Sequence, residues 1–302
     1  MSISSYLKII GRGSKGAGDL TLKQAQELFT AILEGSVSDL EMGAFCIAMR
    51  IKGESVSELH GFMDALNPFI GRLNTGSRQT IVLPSYNGAR KQANLTPLLA
   101  GILASQGFTV IVQGVERDPN RVTSAEIFKQ LQWPILKSIS DLGKYLNQSA
   151  PIFCPIGVIS PALERLLNIR QTIGLRNTGH VLAKLINPCP KGAWQISNYT
   201  HPEYPEKLKA LFTSRGANAI LMRGNEGEPT ASLTRLPEMH FLFSNGSTKS
   251  TSEEHFSGVN PFTQTDVEYT SSITKQILLG KAPCPNTILQ QASNIASMVG
   301  LI

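Results

Sequence analysis

The sequence predicts an α/β protein: a small all-helical N-terminal domain over residues 1–72, continued by segments packing from the α/β domain, then that larger α/β domain over 73–302 with a mostly parallel central sheet flanked by helices. Three observations carry this expectation. Up to Leu66 the apolar residues recur at helical spacing, and no strand-like run interrupts them. From Thr80 onward, short aliphatic runs alternate with helical segments, the pattern of parallel strands joined by crossover helices. Hydrophobic residues make up 41% of the 302, enough for one or two packed cores and too many for extensive disorder.

Each element has a local reason. Gly11-Arg-Gly-Ser-Lys-Gly-Ala-Gly18 reads as a mobile cationic arm. A phosphate loop of the Walker type needs Gly-Lys-Ser/Thr opening a helix after a buried strand, and that context is missing. Thr21 caps a helix running to about Glu34, with Leu22, Ala25, Leu28, Phe29, Ile32 and Leu33 on its apolar face, and Gly35 ends it. Ser38 and Asp39 start the next, burying Met42, Phe45, Ile47, Ala48 and Met49. Ser55 or Ser57 starts a third, closed by Pro68. Strands are expected at 80–84, 109–113, 152–156, 192–197 and 219–223, with an edge strand at 239–243. Helices are expected at 95–106, 124–131, 161–175, 179–185, 206–214, 265–279 and 286–299.

Composition narrows the function classes. No apolar run reaches the roughly 18 residues that cross a bilayer, and the first residues lack the pattern of a secretory signal. Cys46, Cys154, Cys189 and Cys284 are far apart and never in a Cys-x-x-Cys pair, as expected of free thiols in a reducing cytoplasm. Five scattered histidines show no zinc spacing. Net charge is +6, and it is partitioned. No acidic residue lies between Asp64 and Glu116, where Arg72, Arg78, Arg90 and Lys91 fall. None lies between Glu164 and Glu203, where Arg165, Arg170, Arg176, Lys184 and Lys191 fall. A basic groove for a polyanion needs such a distribution.

Specific segments carry a resemblance. Gly35, Ser38, Asp39, Gly43, Ala44, Phe45, Arg50, Lys52, Gly53, Glu54, Glu58 and Gly61 fall as in the N-terminal helical domain of anthranilate phosphoribosyltransferase, and Gly280 and Ala292 fit its closing helices. The chain thus resembles the superfamily of that enzyme and the pyrimidine nucleoside phosphorylases over nearly its whole length. The resemblance implies a helical domain hinged on an α/β domain, with the substrate cleft between them.

The family's chemistry requires a diphosphate cradle, and here its signatures are overwritten. The G-T-G-G-D-G turn becomes Pro84-Ser-Tyr-Asn-Gly-Ala89, counted back from Asn94, and proline has no amide to donate. Thr96 keeps a hydroxyl for a phosphate oxygen. In the K-H-G-N-R segment only Gly114 remains, and Glu116 puts a carboxylate where an arginine should meet phosphate; Arg121 replaces a lysine further on. In the magnesium segment H-G-x-D-G-L-D-E, Arg223-Gly-Asn-Glu-Gly-Glu-Pro-Thr230 sets Pro229 and Thr230 at the two metal positions, so no magnesium site and no other cofactor is expected; Glu226 and Glu228 leave open a cation held in another arrangement. The arginine segment Asn168-Ile-Arg170 to Gly179 survives.

These departures resemble the YbiB-type paralogues, and that resemblance implies a homodimer formed through the helical domains that binds DNA with little sequence preference; single-stranded DNA is the expected form. The expected nucleic-acid contacts are Arg12, Lys15, Arg90, Lys91, Arg117, Arg121, Arg170 and Arg176, with Tyr86 as a base-stacking candidate. Ser85, Tyr86, Asn87, Gly88, Asn94, Thr96, Gly114 and Arg223 line the vestigial cleft, and no catalytic residue is assigned. Two alternatives stand beside this: an active phosphoribosyltransferase using phosphoribosyl pyrophosphate, and a dimeric scaffold for protein or a small phosphorylated metabolite.

Overall fold

A computed structural model describes residues 2–13, 15–189 and 192–300, so Lys191 falls outside it. In chain order the helices are α1 (Ser4–Ile10), α2 (Leu22–Glu34), α3 (Asp39–Lys52), α4 (Val56–Leu66), α5 (Thr96–Ser105), α6 (Ser124–Gln130), α7 (Ile156–Ile159), α8 (Pro161–Ile173), α9 (Thr178–Leu182), α10 (Tyr204–Ser214), α11 (Val267–Leu278) and α12 (Asn286–Val299). The strands are β1 (Thr80–Pro84), β2 (Thr109–Gly114), β3 (Ile152–Pro155), β4 (Trp194–Tyr199), β5 (Ala219–Arg223), β6 (Arg235–Leu236), β7 (Met239–Leu242), β8 (Thr248–Ser250) and β9 (Glu254–His255).

Two compact units emerge. One joins Met1–Gly71 to Ile159–Pro188; the other joins Arg72–Val158 to Cys189–Ile302. α8 and α9 return to the helical unit, which takes in residues from well beyond 72. Arg165 on α8 donates to the Leu33 carbonyl at the end of α2 (2.7 Å), and Thr178 donates to Glu54 (2.8 Å).

In the helical unit the caps come from local chemistry. Thr21, Ser38 and Ser55 each form a reciprocal capping box, with Gln24, Glu41 and Glu58 respectively. Gly35 ends α2 in the left-handed region. Phe29, Phe45 and Phe62 interlock, with the Phe29 and Phe62 rings 4.9 Å apart. Gly61 lets α4 approach α2, since a Cβ there would lie 2.4 Å from the Leu22 carbonyl oxygen. Glu58, fully buried, accepts from the amides of Leu20 and Ser55 and from Lys52 Nζ (2.7 Å). The residues that carry the sequence resemblance thus include those that close this unit.

The second unit is built on a seven-stranded sheet ordered β3-β2-β1-β4-β5-β7-β8. β1 to β5 run parallel; β7 and β8 are antiparallel. Its buried parallel strands are aliphatic runs because both faces are covered. The edge-strand expectation for 239–243 is corrected: β8 pairs outside β7, and its wholly exposed residues show no apolar alternation to reveal it. β6 and β9, a small separate ladder, and α1 were equally unmarked in the sequence.

Strand order reverses direction between β1 and β4. That switch point places the loops leaving β1, β4 and β5 together at the carboxyl edge of the sheet, where open α/β folds bind ligands.

Candidate functional site

The loop after β1 turns through Ser85–Gln92 and presents a row of backbone amides. Gly88 takes φ +67°, and a Cβ there would lie 2.6 Å from the Val122 carbonyl oxygen, so only glycine fits. Residues 115–123 run alongside, tied by paired bonds between Ala89 and Val122 (3.0 and 2.9 Å). These amides are anion donors, and two carboxylates of the same chain already occupy them.

Glu228, fully buried in the loop after β5, accepts from the amides of Gly88 (2.8 Å) and Asn87 (3.2 Å), from the Thr96 hydroxyl (2.8 Å) and from the Ser85 hydroxyl. Ser85 also bonds Ser124 (2.6 Å), which Asn94 reaches through its side-chain amide (3.2 Å). Thr96 opens α5, so the carboxylate lies at a helix N-terminus, where the dipole favours negative charge. Burial pushes the Glu228 carboxyl above the ordinary carboxylate range, against the pull of its four donors.

Glu226 caps the next three amides: Arg90 (3.2 Å), Lys91 (2.7 Å) and Gln92 (2.9 Å). It adopts φ +53°, an uncommon conformation for a non-glycine residue, held by this set of bonds. Arg121 stands 3.7 Å from its carboxylate and donates to the Gly88 carbonyl (3.0 Å).

The loop after β5 therefore plugs the cradle. Of the vestigial set, Ser85, Asn87, Gly88 and Thr96 converge on Glu228, and Asn94 acts one bond further out. The expected free hydroxyl of Thr96 is corrected: it is spent on Glu228. Gly114 remains for steric reasons, since a Cβ would sit 2.1 Å from the Ser85 carbonyl oxygen. Tyr86 is also corrected as a stacking surface, being only 6% exposed. Arg223 lies exposed at the end of β5.

The residues present do not fit magnesium. Glu226 and Glu228 are surrounded by N–H and O–H donors, the reverse of what a cation requires, and Pro229 offers no side-chain oxygen. Among the described residues no group of three or more His, Cys, Asp or Glu could hold a metal ion. Sequence reasoning weighed the two glutamates only as cation ligands. The available signal was a Glu-Gly-Glu placed after one strand while a half-retained glycine turn followed another.

The expected nucleic-acid cations divide between the units. Arg90, Lys91 and Arg117 are exposed on the two zipped loops, beside exposed Glu116, whereas Arg121 is half-buried against the plug. Arg12 and Lys15 are exposed in the turn after α1, which the Gly18 amide pins back to the Ile9 carbonyl (2.9 Å). Arg170 and Arg176 are half-buried, and with Arg50 they bring positive charge to buried His180.

Burial first, then those arginines, hold His180 down at about 3. The unfolded chain takes up this proton near 6.5, so in the window between the two values it binds more protons than the folded one. Stability falls as pH drops through that window, with a limiting slope of about 1.4 kcal/mol per pH unit. His180→Gln is expected to flatten the decline between pH ~6 and ~4, measured by urea titration; the Glu228 contribution cancels in the comparison. Parallel slopes in the two proteins would remove His180 as the cause.

Comparisons with known proteins place these observations. The model of the glycosyl transferase family helical bundle domain matches residues 4–67. An uncharacterized protein of Escherichia coli (strain K12), YbiB, is 39% identical over 293 residues, 95% of this chain and 91% of its own length. Anthranilate phosphoribosyltransferase of Rhodopirellula baltica is 23% identical over 222 residues, 73% of this chain and 65% of its own. Among solved structures, anthranilate phosphoribosyltransferase from Thermus thermophilus superposes with a TM-score of 0.74 at 20% identity, covering 94% of this chain and 87% of that one. The Saccharomyces cerevisiae enzyme in complex with PRPP and Mg gives 0.74 at 14% identity, covering 98% and 88%.

Proposed function

The chain belongs to the YbiB-type branch of the anthranilate phosphoribosyltransferase superfamily, and on that premise we propose that it binds nucleic acid, with little sequence preference, and does not transfer phosphoribosyl groups. One observation carries the reading: Glu226 and Glu228 saturate the amides that a sugar diphosphate would need, while Arg90, Lys91 and Arg117 on the same loops stay exposed. A small anion meets no vacant donors in that cradle. A long polyanion needs only surface cations, whose contacts release condensed counterions.

Affinity for a labelled single-stranded oligonucleotide is therefore expected to fall steeply between about 50 and 200 mM salt, measured by fluorescence anisotropy. Replacing Arg90, Lys91 and Arg117 together by alanine should lower the salt slope by about two. An unchanged slope would remove these loops from the interface. Saturable, magnesium-dependent heat on titration with phosphoribosyl pyrophosphate would restore the transferase reading and end this one. No magnesium or other cofactor forms part of the proposal, and the cytoplasm is the proposed compartment.

The proposed assembly is a homodimer through the helical unit. On α3, Leu40 is 85% and Ile51 65% exposed, with Ile47 between them at helical spacing. A cavity of about 360 Å³, lined by Leu7, Ile10, Ala44, Ile47, Ala48 and Ile51, separates this face from α1. A second copy would cover that apolar stripe. Ile47→Glu with Ile51→Glu is expected to give a monomer by light scattering; a persisting dimer would place the interface elsewhere.

A further inference from the structure

We infer that a second cavity, on the same sheet edge as the plugged cradle, is a nucleotide subsite that takes one base with its 5′-phosphate from a single strand. The inference rests on the polyanion reading above and names a site within it. The cavity, about 400 Å³, lies at the carboxyl ends of β4 and β5 and is lined by Tyr199, Arg223, Arg235, Glu238, Glu253 and three prolines. Its volume falls within the range of small-ligand sites, about 300–1,000 Å³.

Its polar groups are unevenly committed. Tyr199 and Arg223 are paired in the parallel register, so their side chains leave the same face of the sheet. Arg223 is exposed, and no carboxylate pairs with it among the described residues. Arg235 gives Nη2 to Glu253, yet its Nε is buried with no acceptor. Glu253 is engaged by Arg235 and His255 (3.0 Å), whereas Glu238, 3.5 Å from a His240 that burial keeps neutral, retains its charge at the rim. Burial raises the Tyr199 phenol above its ordinary value despite nearby Lys209, Arg223 and Arg235, so the ring stays neutral.

What remains for a ligand is a neutral aromatic ring, rigid proline walls, one guanidinium without a partner and a buried N–H without an acceptor. An aromatic base lies against the ring and prolines, and its phosphate oxygens satisfy Arg223 and Arg235. A duplex keeps its bases stacked inside, so only a single strand can deliver one. The subsite therefore gives the protein a preference for single strands, which the exposed cations alone do not.

The test compares wild type with Arg223→Ala and Tyr199→Leu, using one labelled oligonucleotide as a single strand and as a duplex. Each variant, checked for folding by its ¹H–¹⁵N spectrum, should lose about tenfold in single-strand affinity relative to duplex. Titration of the wild type with free deoxycytidine 5′-monophosphate should shift amides clustered at Tyr199, Thr200, Arg223 and Arg235, and Arg223→Ala should abolish the cluster. An unchanged strand preference in both variants, or shifts gathered elsewhere, overturns the subsite and leaves the polyanion reading standing. A wild type that binds neither strand form at low salt ends the polyanion reading. The subsite then stands on clustered monophosphate shifts and falls without them.

Discussion

Glu228→Ala is expected to destabilise the protein by about 3–5 kcal/mol, measured by urea unfolding at neutral pH. The magnitude follows from what the carboxylate leaves behind. Two backbone amides and two hydroxyls lose their acceptor in a site closed to water. Each unsatisfied buried donor costs about 1–3 kcal/mol, and partial relaxation of the loop keeps the total below the simple sum. Glu228→Gln should fall between, because it keeps one oxygen and turns an amide group towards donors. The distinctive expectation is rescue: inorganic phosphate should raise the stability of Glu228→Ala and leave wild type unmoved, since an external anion then meets vacant donors at the start of α5. A variant within about 1 kcal/mol of wild type, or with no response to phosphate, would show that these donors do not form an anion site.

Gly114→Ala is the second large effect, expected at about 3 kcal/mol by the same measurement. The methyl would lie 2.1 Å from the Ser85 carbonyl oxygen, 2.8 Å from its carbon and 3.2 Å from the Tyr86 Cα. All three are backbone atoms, so no side chain can swing aside, and the end of β2 must part from the loop leaving β1. The Gln113 carbonyl that accepts from the Ser85 amide (2.7 Å) sits in the same place and moves with it. A close backbone approach is sufficient reason for this glycine. Wild-type stability in Gly114→Ala would mean that the two segments are not held at this spacing.

Much of the fold was legible because its signals are local. Thr21, Ser38 and Ser55 announce their helices through capping chemistry within three residues. The strand at 80–84 and the helix at 286–299 lie where period and composition put them. What escaped lacked a local signal: β8 is polar throughout and exists only because β7 offers an edge, and which later segments join the helical unit depends on contacts such as that of Arg165 on α8 with the Leu33 carbonyl. At the site, the overwritten segments were readable one by one. Tyr86 could be read in the sequence as a stacking surface or as a packed loop residue, because an aromatic residue in a polar loop gives no sign of whether it is covered, and burial decides for the second.

Amino-acid order alone determined the two-part α/β architecture, the placing of Pro229 directly after Glu228 and the excess of positive charge, since each is a property of residue type and spacing along the chain. The tertiary structure decided where Glu228 goes. It reaches the Gly88 amide across 140 residues, because the reversal of strand order between β1 and β4 brings the loops after β1 and β5 to one edge of the sheet. A carboxylate ringed by donors and a carboxylate ready for a cation have the same sequence, and only the surroundings supplied by distant segments distinguish them.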